Sequence, residues 1–220
     1  MSVKVKINKD SLTRQYLATT AGRKAAARVV QAEIEDIINE ARVDFLTEFE
    51  NHPVSQEISA GPSHGVSNSS NTLHGYGNLF SFIGFPKDFK PISYIKSLFL
   101  KKTGITKVSL RNAGRGRFVV EMNIPTKEEI YADPENHIRW QPGRSWLDGI
   151  ENGISGFGYY LLARNQADRI ASLSKGGSGE AIQIGPREGT KKLRGGAFTK
   201  KKYFSGIYNR FIKRILKGSQ

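Results

Sequence analysis

A long, regularly spaced run of apolar residues between positions 21 and 50 constrains the fold more than any other feature of the sequence. Its members recur at the i, i+3, i+4 and i+7 positions that form one face of an α-helix. They are Ala26, Val29, Val30, Ile34, Ile37, Ile38, Ala41, Phe45 and Phe49. We expect an earlier helical portion from Ser11, bent near Gly22, and a stop at residues 51–53, which include a proline. A helix of this length extends for about 45 Å, so the rest of the fold has to pack along it.

The charges of this predicted helix run against its dipole. The basic residues that lie early in it are Arg14, Arg23, Lys24 and Arg28. The acidic residues that crowd its later half are Glu33, Glu35, Asp36, Glu40, Asp44, Glu48 and Glu50. Because the helix dipole favours the opposite order, local helix stability does not account for this arrangement. Two explanations stay open: a partner that carries positive charge, or an acidic face that is simply solvated.

Most of the net charge of +14 lies at the end of the chain. Residues 186–220 carry 11 Lys and Arg against one Glu, a net charge of +10. Such a block contacts a polyanion, an acidic protein surface or a membrane face, or it is a solvated tail. The candidate contact residues for nucleic acid or an acidic partner are Lys191, Lys192, Arg194, Lys200, Lys201, Lys202, Arg210, Lys213 and Arg214.

Two segments are unusually rich in apolar and aromatic residues. The string NLFSFIGF at 78–85 would be apolar on both faces of an extended strand. We therefore expect either a central strand or turn in the chain's own core, or a core shared with a neighbouring subunit. Residues 137–164 place two Trp and two Tyr among glycines and arginines, a composition typical of interface centres but also of a packed helix face. We favour the shared core, with candidate interface residues Phe80, Phe82, Phe85, Trp140, Trp146, Phe211 and Ile215.

The remaining patterns predict an α+β fold in which the long N-terminal amphipathic helix packs on a small antiparallel sheet. Residues 53–78 read as a long exposed loop with a short extended piece at 54–58, and 91–102 as a short helix. A hairpin is expected from ITKVSLRN and RFVVEMNI, which alternate with period two around AGRG. TKEEIY and SWLDGIENGI begin like capped helices, residues 181–184 read as a short strand, and YFSGIYNRFIKRIL as a basic amphipathic helix. We expect one core domain over 1–164 and an extended arm over 165–220.

Catalytic and metal-binding patterns are not recognisable in the sequence. The four histidines, at positions 52, 64, 74 and 137, never have the i+3 or i+4 spacing of a helical metal site. GISGFG and GGSGE do not complete G-x-S-x-G, and GPREGTKK at 185–192 is one residue short of a phosphate loop. Cysteine is absent, which removes thiol chemistry and disulfides. We therefore expect no enzymatic activity, no cofactor and no metal.

The sequence also predicts where the protein is made and whether it contacts a membrane. No apolar run reaches the roughly 18 to 20 residues that a bilayer-spanning helix needs, and MSVKVKINKD lacks the hydrophobic stretch of a secretory signal. We expect synthesis in a cytoplasm and no membrane contact.

A resemblance to a known family follows from the order of these patterns. A long N-terminal amphipathic helix, a Ser/Asn/Gly loop running into SNTLHGYGNLFSFIGF, a hairpin, and WQPGRSWLDGIENGISGFGYYL resemble structural proteins of tailed-bacteriophage virions. The order is similar to that of the neck and tail-completion proteins, over roughly residues 20–165. The strings GNLFSFIGF and GRSWLDGIENGISG are the most distinctive. The strongly basic tail departs from the compact end expected of a small neck protein.

This resemblance implies a function and partners. Neck and tail-completion proteins pair one long helix with a small sheet and assemble as rings between portal and tail. It therefore implies a non-enzymatic assembly protein at the head-to-tail junction, found in the virion and in the host cytoplasm during assembly. Its partners would be further copies of itself and other virion neck or tail proteins. The alternatives are a basic nucleic-acid-binding protein, with non-specific DNA contact, and a structural component of the tail terminus or baseplate.

Overall fold

The predicted class is confirmed, since the chain is a mixture of helices and antiparallel strands. The computed structural model describes residues 2–8, 16–17, 19–61, 70–73, 79–112, 117–138, 141–153, 160–161, 183–184 and 198–218. Among them, helix α1 is Thr20–Asn51, close to the predicted span of 21–50. The predicted earlier portion from Ser11 lies largely outside the described residues, and residues 16–17 form a turn rather than a helix.

The chain divides into two compact units. Unit 1 consists of Met1–Thr47, Lys96–Thr126 and Ile207–Gln220, and unit 2 consists of Glu48–Ile95 and Lys127–Gly206. Each unit combines pieces from both sides of the domain boundary predicted at residue 164. Since residues 162–182 and 185–197 lie outside the described part, the predicted arm at 165–220 stays a prediction.

In unit 1, most of the predicted apolar stripe of α1 is buried, while Ala26 and Ile37 are half-buried. Val30, Ile34, Ile38, Ala41 and Phe45 are buried. Val29 was predicted to lie on the same face but is 59% exposed. Adjacent helix positions are about 100° apart, so only one of two neighbouring valines can lie at the centre of the buried face.

The sheet of unit 1 has the strand order β1-β3-β2, with antiparallel neighbours. Strands β2, Gly104–Asn112, and β3, Arg117–Asn123, form the predicted hairpin, with Val108 opposite Val120. Strand β1, Ser2–Asn8, pairs with β3 and was missed, although VKVKIN alternates with the period of a strand. The Arg42 guanidinium of α1 donates hydrogen bonds to the Asn39 side chain and to the carbonyl of Thr103, directly before β2.

Two further helices contribute to the core of unit 1. Helix α4, Pro91–Lys102, was predicted with these bounds and contributes Phe99. The C-terminal helix, labelled α7 below, is Phe204–Gly218 and contributes Phe211. Phe45 of α1 stacks on Phe99 with ring centroids 3.9 Å apart, and Phe211 meets both rings edge-on at 5.7 and 4.8 Å. These three aromatic residues therefore hold α1, α4 and α7 together.

In unit 2, the predicted exposed loop at 53–78 is wrong where the structure describes it. Pro53–Ser59 forms helix α2 rather than an extended piece, and Val54, Ser55, Glu57 and Ile58 are buried. The proline stands at the first helical position, where its missing N–H costs nothing, and the His52 imidazole accepts a hydrogen bond from the Val54 amide at 3.2 Å. Residues 70, 72 and 73 are buried as well. Residues 62–69 and 74–78 lie outside the described part.

The strand predicted at 78–85 is also wrong, because Leu79–Ile83 is a short helix, α3. A short run that is apolar on every side fits a fully buried helix as well as a fully buried strand, and periodicity does not separate the two. Gly84, at φ +86°, adopts a left-handed conformation directly after the helix.

In the rest of unit 2, two helices and one strand were predicted, whereas three short strands and a 3-10 turn were not. Helices α5, Lys127–Tyr131, and α6, Trp146–Asn152, form at the two predicted starts. A 3-10 turn at Pro134–Asn136 leads into β4, His137–Ile138, which pairs with β5, Gln141–Ser145. Strand β6, Tyr160–Leu161, pairs with β7, Gln183–Ile184, inside the predicted strand at 181–184.

Candidate interaction surface

The aromatic residues predicted to form an interface lie inside the single chain. Phe80, Phe82, Phe85 and Trp146 are each at most 2% exposed in unit 2. Phe85 contacts Phe80 at 5.3 Å between centroids and meets Trp146 edge-on at 5.5 Å. These exposures favour the alternative that the segment fills the chain's own core. Their role in an interface with a partner stays a prediction.

The other predicted interface residues are divided. Phe211 and Ile215 lie on the buried side of α7, in unit 1 of the same chain. Trp140 lies outside the described residues. The amphipathic helix was therefore correctly predicted, but its apolar stripe is covered by the chain itself.

The opposite side of α7 is basic and exposed. Arg210, Lys213, Arg214 and Lys217 point outwards, and Leu216 between them is 43% exposed. The Arg214 guanidinium forms an ion pair with the Asp44 carboxylate of α1. At this pair, the basic C-terminal helix and the acidic half of α1 are joined within one chain.

The outward side of α1 carries a stripe that combines acidic and apolar residues. Val29, Glu33, Asp36, Glu40 and Val43 follow one another at spacings of four and three residues, so they share one face of the helix. All five are exposed, and Val43 is 61% exposed. We call this face the α1 stripe. Among the described residues, its two valines are the most exposed large apolar side chains.

The excess positive charge is concentrated in unit 1. By sequence, unit 1 carries 19 Lys and Arg against seven Asp and Glu, a net charge of +12, while unit 2 carries 15 against 13, a net charge of +2. On β2, Lys107 and Arg111 are exposed. Unit 1 therefore presents a cationic surface together with the acidic α1 stripe.

The other basic residues predicted as contacts belong to unit 2. Lys200 and Lys202 are exposed and Lys201 is half-buried. The amide of Lys201 donates a hydrogen bond to the carbonyl of Ile150 at 3.1 Å. Lys191, Lys192 and Arg194 lie outside the described residues.

A buried carboxyl group in unit 2 was not singled out from the sequence. Oε2 of Glu57 accepts hydrogen bonds from the Ser70 hydroxyl at 2.5 Å and from the Ser70 amide at 3.2 Å. Burial raises the pKa of Glu57 above its usual 4.5, and the hydrogen bonds from Ser70 oppose that rise. Oε1 is buried and has no hydrogen-bond partner among the described residues. The carboxyl group of Glu57 thus joins α2 to residues 70–72 inside unit 2.

A second polar cluster holds the start of α7 in unit 2. Oε1 of Glu151 accepts hydrogen bonds from the amides of Tyr203 and Ser205 at 3.0 and 2.7 Å, and Oε2 accepts one from the Tyr131 hydroxyl at 3.1 Å. Burial raises the pKa of the Tyr131 and Tyr203 phenols. The Tyr203 hydroxyl lies 2.5 Å from that of Ser55. Because Glu151 occupies amide groups at a helix start, its geometry is that of a capping residue.

A cavity of about 430 Å³ opens in unit 2 between the end of α2, Phe80 and the start of α4. Its walls include Lys87, Asp88 and Lys90 beside apolar side chains. The volume suits a small ligand. The charges in its wall have both signs, so they do not select a class of ligand.

The described residues contain neither a metal-binding cluster nor a helix that could span a membrane. No group of three or more His, Asp or Glu in the described ranges could hold a metal ion. No described helix is long and apolar enough to cross a bilayer.

Comparisons of the chain with protein-family models, with curated proteins and with solved structures found no match.

Proposed function

We propose that the protein is a non-enzymatic structural component of a tailed-bacteriophage virion, which acts at the head-to-tail junction as a ring of identical copies. The proposal joins the resemblance in element order to the surface of unit 1. It places the protein in the virion, and in the host cytoplasm while virions assemble, with other neck or tail proteins as neighbours.

The architecture of unit 1 supports the proposal. Unit 1 holds most of the 32-residue helix α1, the antiparallel sheet and most of the C-terminal helix α7. This is the combination of one long helix and a small sheet that the resemblance implies.

The observation that carries the proposal is the separation of charge on the surface of unit 1. Exposed acidic residues with two exposed valines lie on α1, and exposed cations lie on α7 and β2. Exposed charges of opposite sign on two different helices attract two copies to each other when the acidic helix of one meets the basic helix of the next, whereas surfaces of like sign repel. Such a contact joins unlike faces, so each copy keeps one face free for the next copy.

Nucleic-acid binding is the second candidate, because a net charge of +12 on one unit attracts phosphates without any assembly. The two functions differ in what the purified chain does alone. Binding to phosphates through this charge needs no self-assembly, and its affinity for duplex of random sequence falls steeply as salt is added.

Sedimentation velocity of the full chain, with and without random-sequence duplex, tests the proposal. We expect one large species of fixed stoichiometry that grows in population with protein concentration and needs no DNA. A chain that remains monomeric at every concentration, and sediments faster only with DNA at low salt, would reverse the order of the two candidates.

A further inference from the structure

The α1 stripe and the exposed side of α7 match each other in charge. The stripe presents Glu33, Asp36 and Glu40, and α7 presents Arg210, Lys213 and Lys217. The ion pair between Asp44 and Arg214 already joins α1 to α7 within one chain, and it uses residues outside both sets. All six residues of the two sets are exposed while α7 is packed on α1.

The two sets also match in length. Glu33 and Glu40 are seven residues apart, as are Arg210 and Lys217. At 1.5 Å per residue both sets extend over about 10 Å of helix. Three carboxylates can therefore face three cations along two helices laid side by side.

Apolar side chains accompany the charges on both helices. Val29 and Val43 lie at the two ends of the α1 stripe, and Leu216 lies beside Lys217 on α7. Exposed ion pairs contribute little to binding on their own, whereas burial of apolar side chains contributes affinity. Contact between the two helices would cover these exposed side chains while the charges set the register.

We propose that the α1 stripe of one copy docks on the exposed side of α7 of a second copy. The inference rests on the proposed function and names the surfaces that the ring would use. Since the two surfaces differ, the contact is heterologous. The α1 stripe of each copy contacts α7 of one neighbour, and its own α7 contacts the α1 stripe of the other neighbour. A chain of such contacts closes into a ring when the rotation between copies allows it.

Two charge-reversed variants test this contact. The first carries Asp36→Lys and Glu40→Lys, and the second carries Lys213→Glu and Lys217→Glu. Either variant alone would place like charges on both surfaces, so each should assemble at least about tenfold less readily than wild type, with unchanged circular dichroism. An equimolar mixture of the two variants should assemble again. If the two variants alternate along the ring, every contact pairs a basic surface of the first variant with an acidic surface of the second. Native mass spectrometry with one variant isotopically labelled should find equal numbers of the two.

A matched control separates this contact from a general effect of charge. Glu128→Lys with Glu135→Lys makes the same change of charge at exposed positions of unit 2 and should assemble like wild type. The proposed contact is wrong if either reversed variant assembles like wild type, or if both variants fold but their mixture does not assemble. In both cases the proposed ring of wild-type copies is unaffected. A wild-type chain that never assembles overturns the proposed function and this inference together.

Discussion

The packing of α7 against its own chain leads to a prediction for Phe211. Replacing Phe211 by Ala removes a side chain that is 2% exposed and meets the rings of Phe45 and Phe99 edge-on. Truncation of a buried Phe costs about 3 to 5 kcal/mol, and the two aromatic contacts place this site in the upper part of that range. We expect the free energy of unfolding to fall by about 4 kcal/mol.

Urea unfolding followed by circular dichroism measures this loss, with two variants for comparison. Leu216→Ala truncates a half-exposed side chain on the same helix and should change stability by less than about 1 kcal/mol. Asp44→Ala removes an ion pair between side chains that are 39% and 57% exposed, which costs about 0 to 1 kcal/mol. If Phe211→Ala is as stable as Leu216→Ala but no longer assembles, α7 is held by a neighbouring copy and the packing described here is incorrect.

Three further predictions concern buried or crowded positions. Burial raises the pKa of Glu57, so the folded state binds the carboxyl proton more tightly than the unfolded state does. The protonated carboxyl group therefore stabilises the fold fully below pH 4.5, and this stabilisation is lost as the pH rises through the pKa of the folded state. Glu57→Gln should therefore flatten the decline of stability as the pH rises above 4.5. Urea unfolding at a series of pH values measures this, and the same pH dependence in both proteins would argue against a raised pKa. Tyr203→Phe leaves the buried Ser55 hydroxyl without its partner and should lower the free energy of unfolding by about 1 to 3 kcal/mol. In a Ser55→Ala background the same substitution should cost less, because the hydrogen bond is already gone. If the costs of the two substitutions simply add in the double mutant, the two hydroxyls are not bonded. Gly22→Ala would place its Cβ on the carbonyl oxygen of Tyr16 and should lower the melting temperature by several degrees, whereas an unchanged value would mean that this turn is absent.

Elements with a long repeating pattern were predictable from the sequence. The apolar spacing of α1 and α7 continues for several turns, and the β2–β3 hairpin has two alternating strands around one turn. The short apolar run at Leu79–Ile83 lacks that repetition, which is why it was taken for a strand. Pro53 was interpreted as a stop, although it also begins the next helix, and the two roles look alike in the sequence.

The candidate surface was predictable only in part. The opposite charges of α1 and the tail are visible in the sequence, but the pairing of Asp44 with Arg214 joins positions 170 residues apart, which no local pattern specifies. The burial of Glu57 depends likewise on Ser70, which lies in a segment with no regular pattern. Val29 was assigned to the core because the spacing rule admits it beside Val30, and only the packed helix shows which of the two faces outwards.

Disulfide cross-linking tests the head-to-tail contact most directly, because the natural chain has no cysteine. One variant carries Val43→Cys on the α1 stripe and the other carries Leu216→Cys on α7, so neither can form a disulfide within its own chain. The two are mixed, oxidised and separated on a non-reducing gel, with one bearing a size tag. We expect the mixed dimer to form well before either homodimer. Homodimers that form as fast as the mixed dimer, or an assembly that yields no mixed dimer, would contradict the docking of α1 on a neighbouring α7.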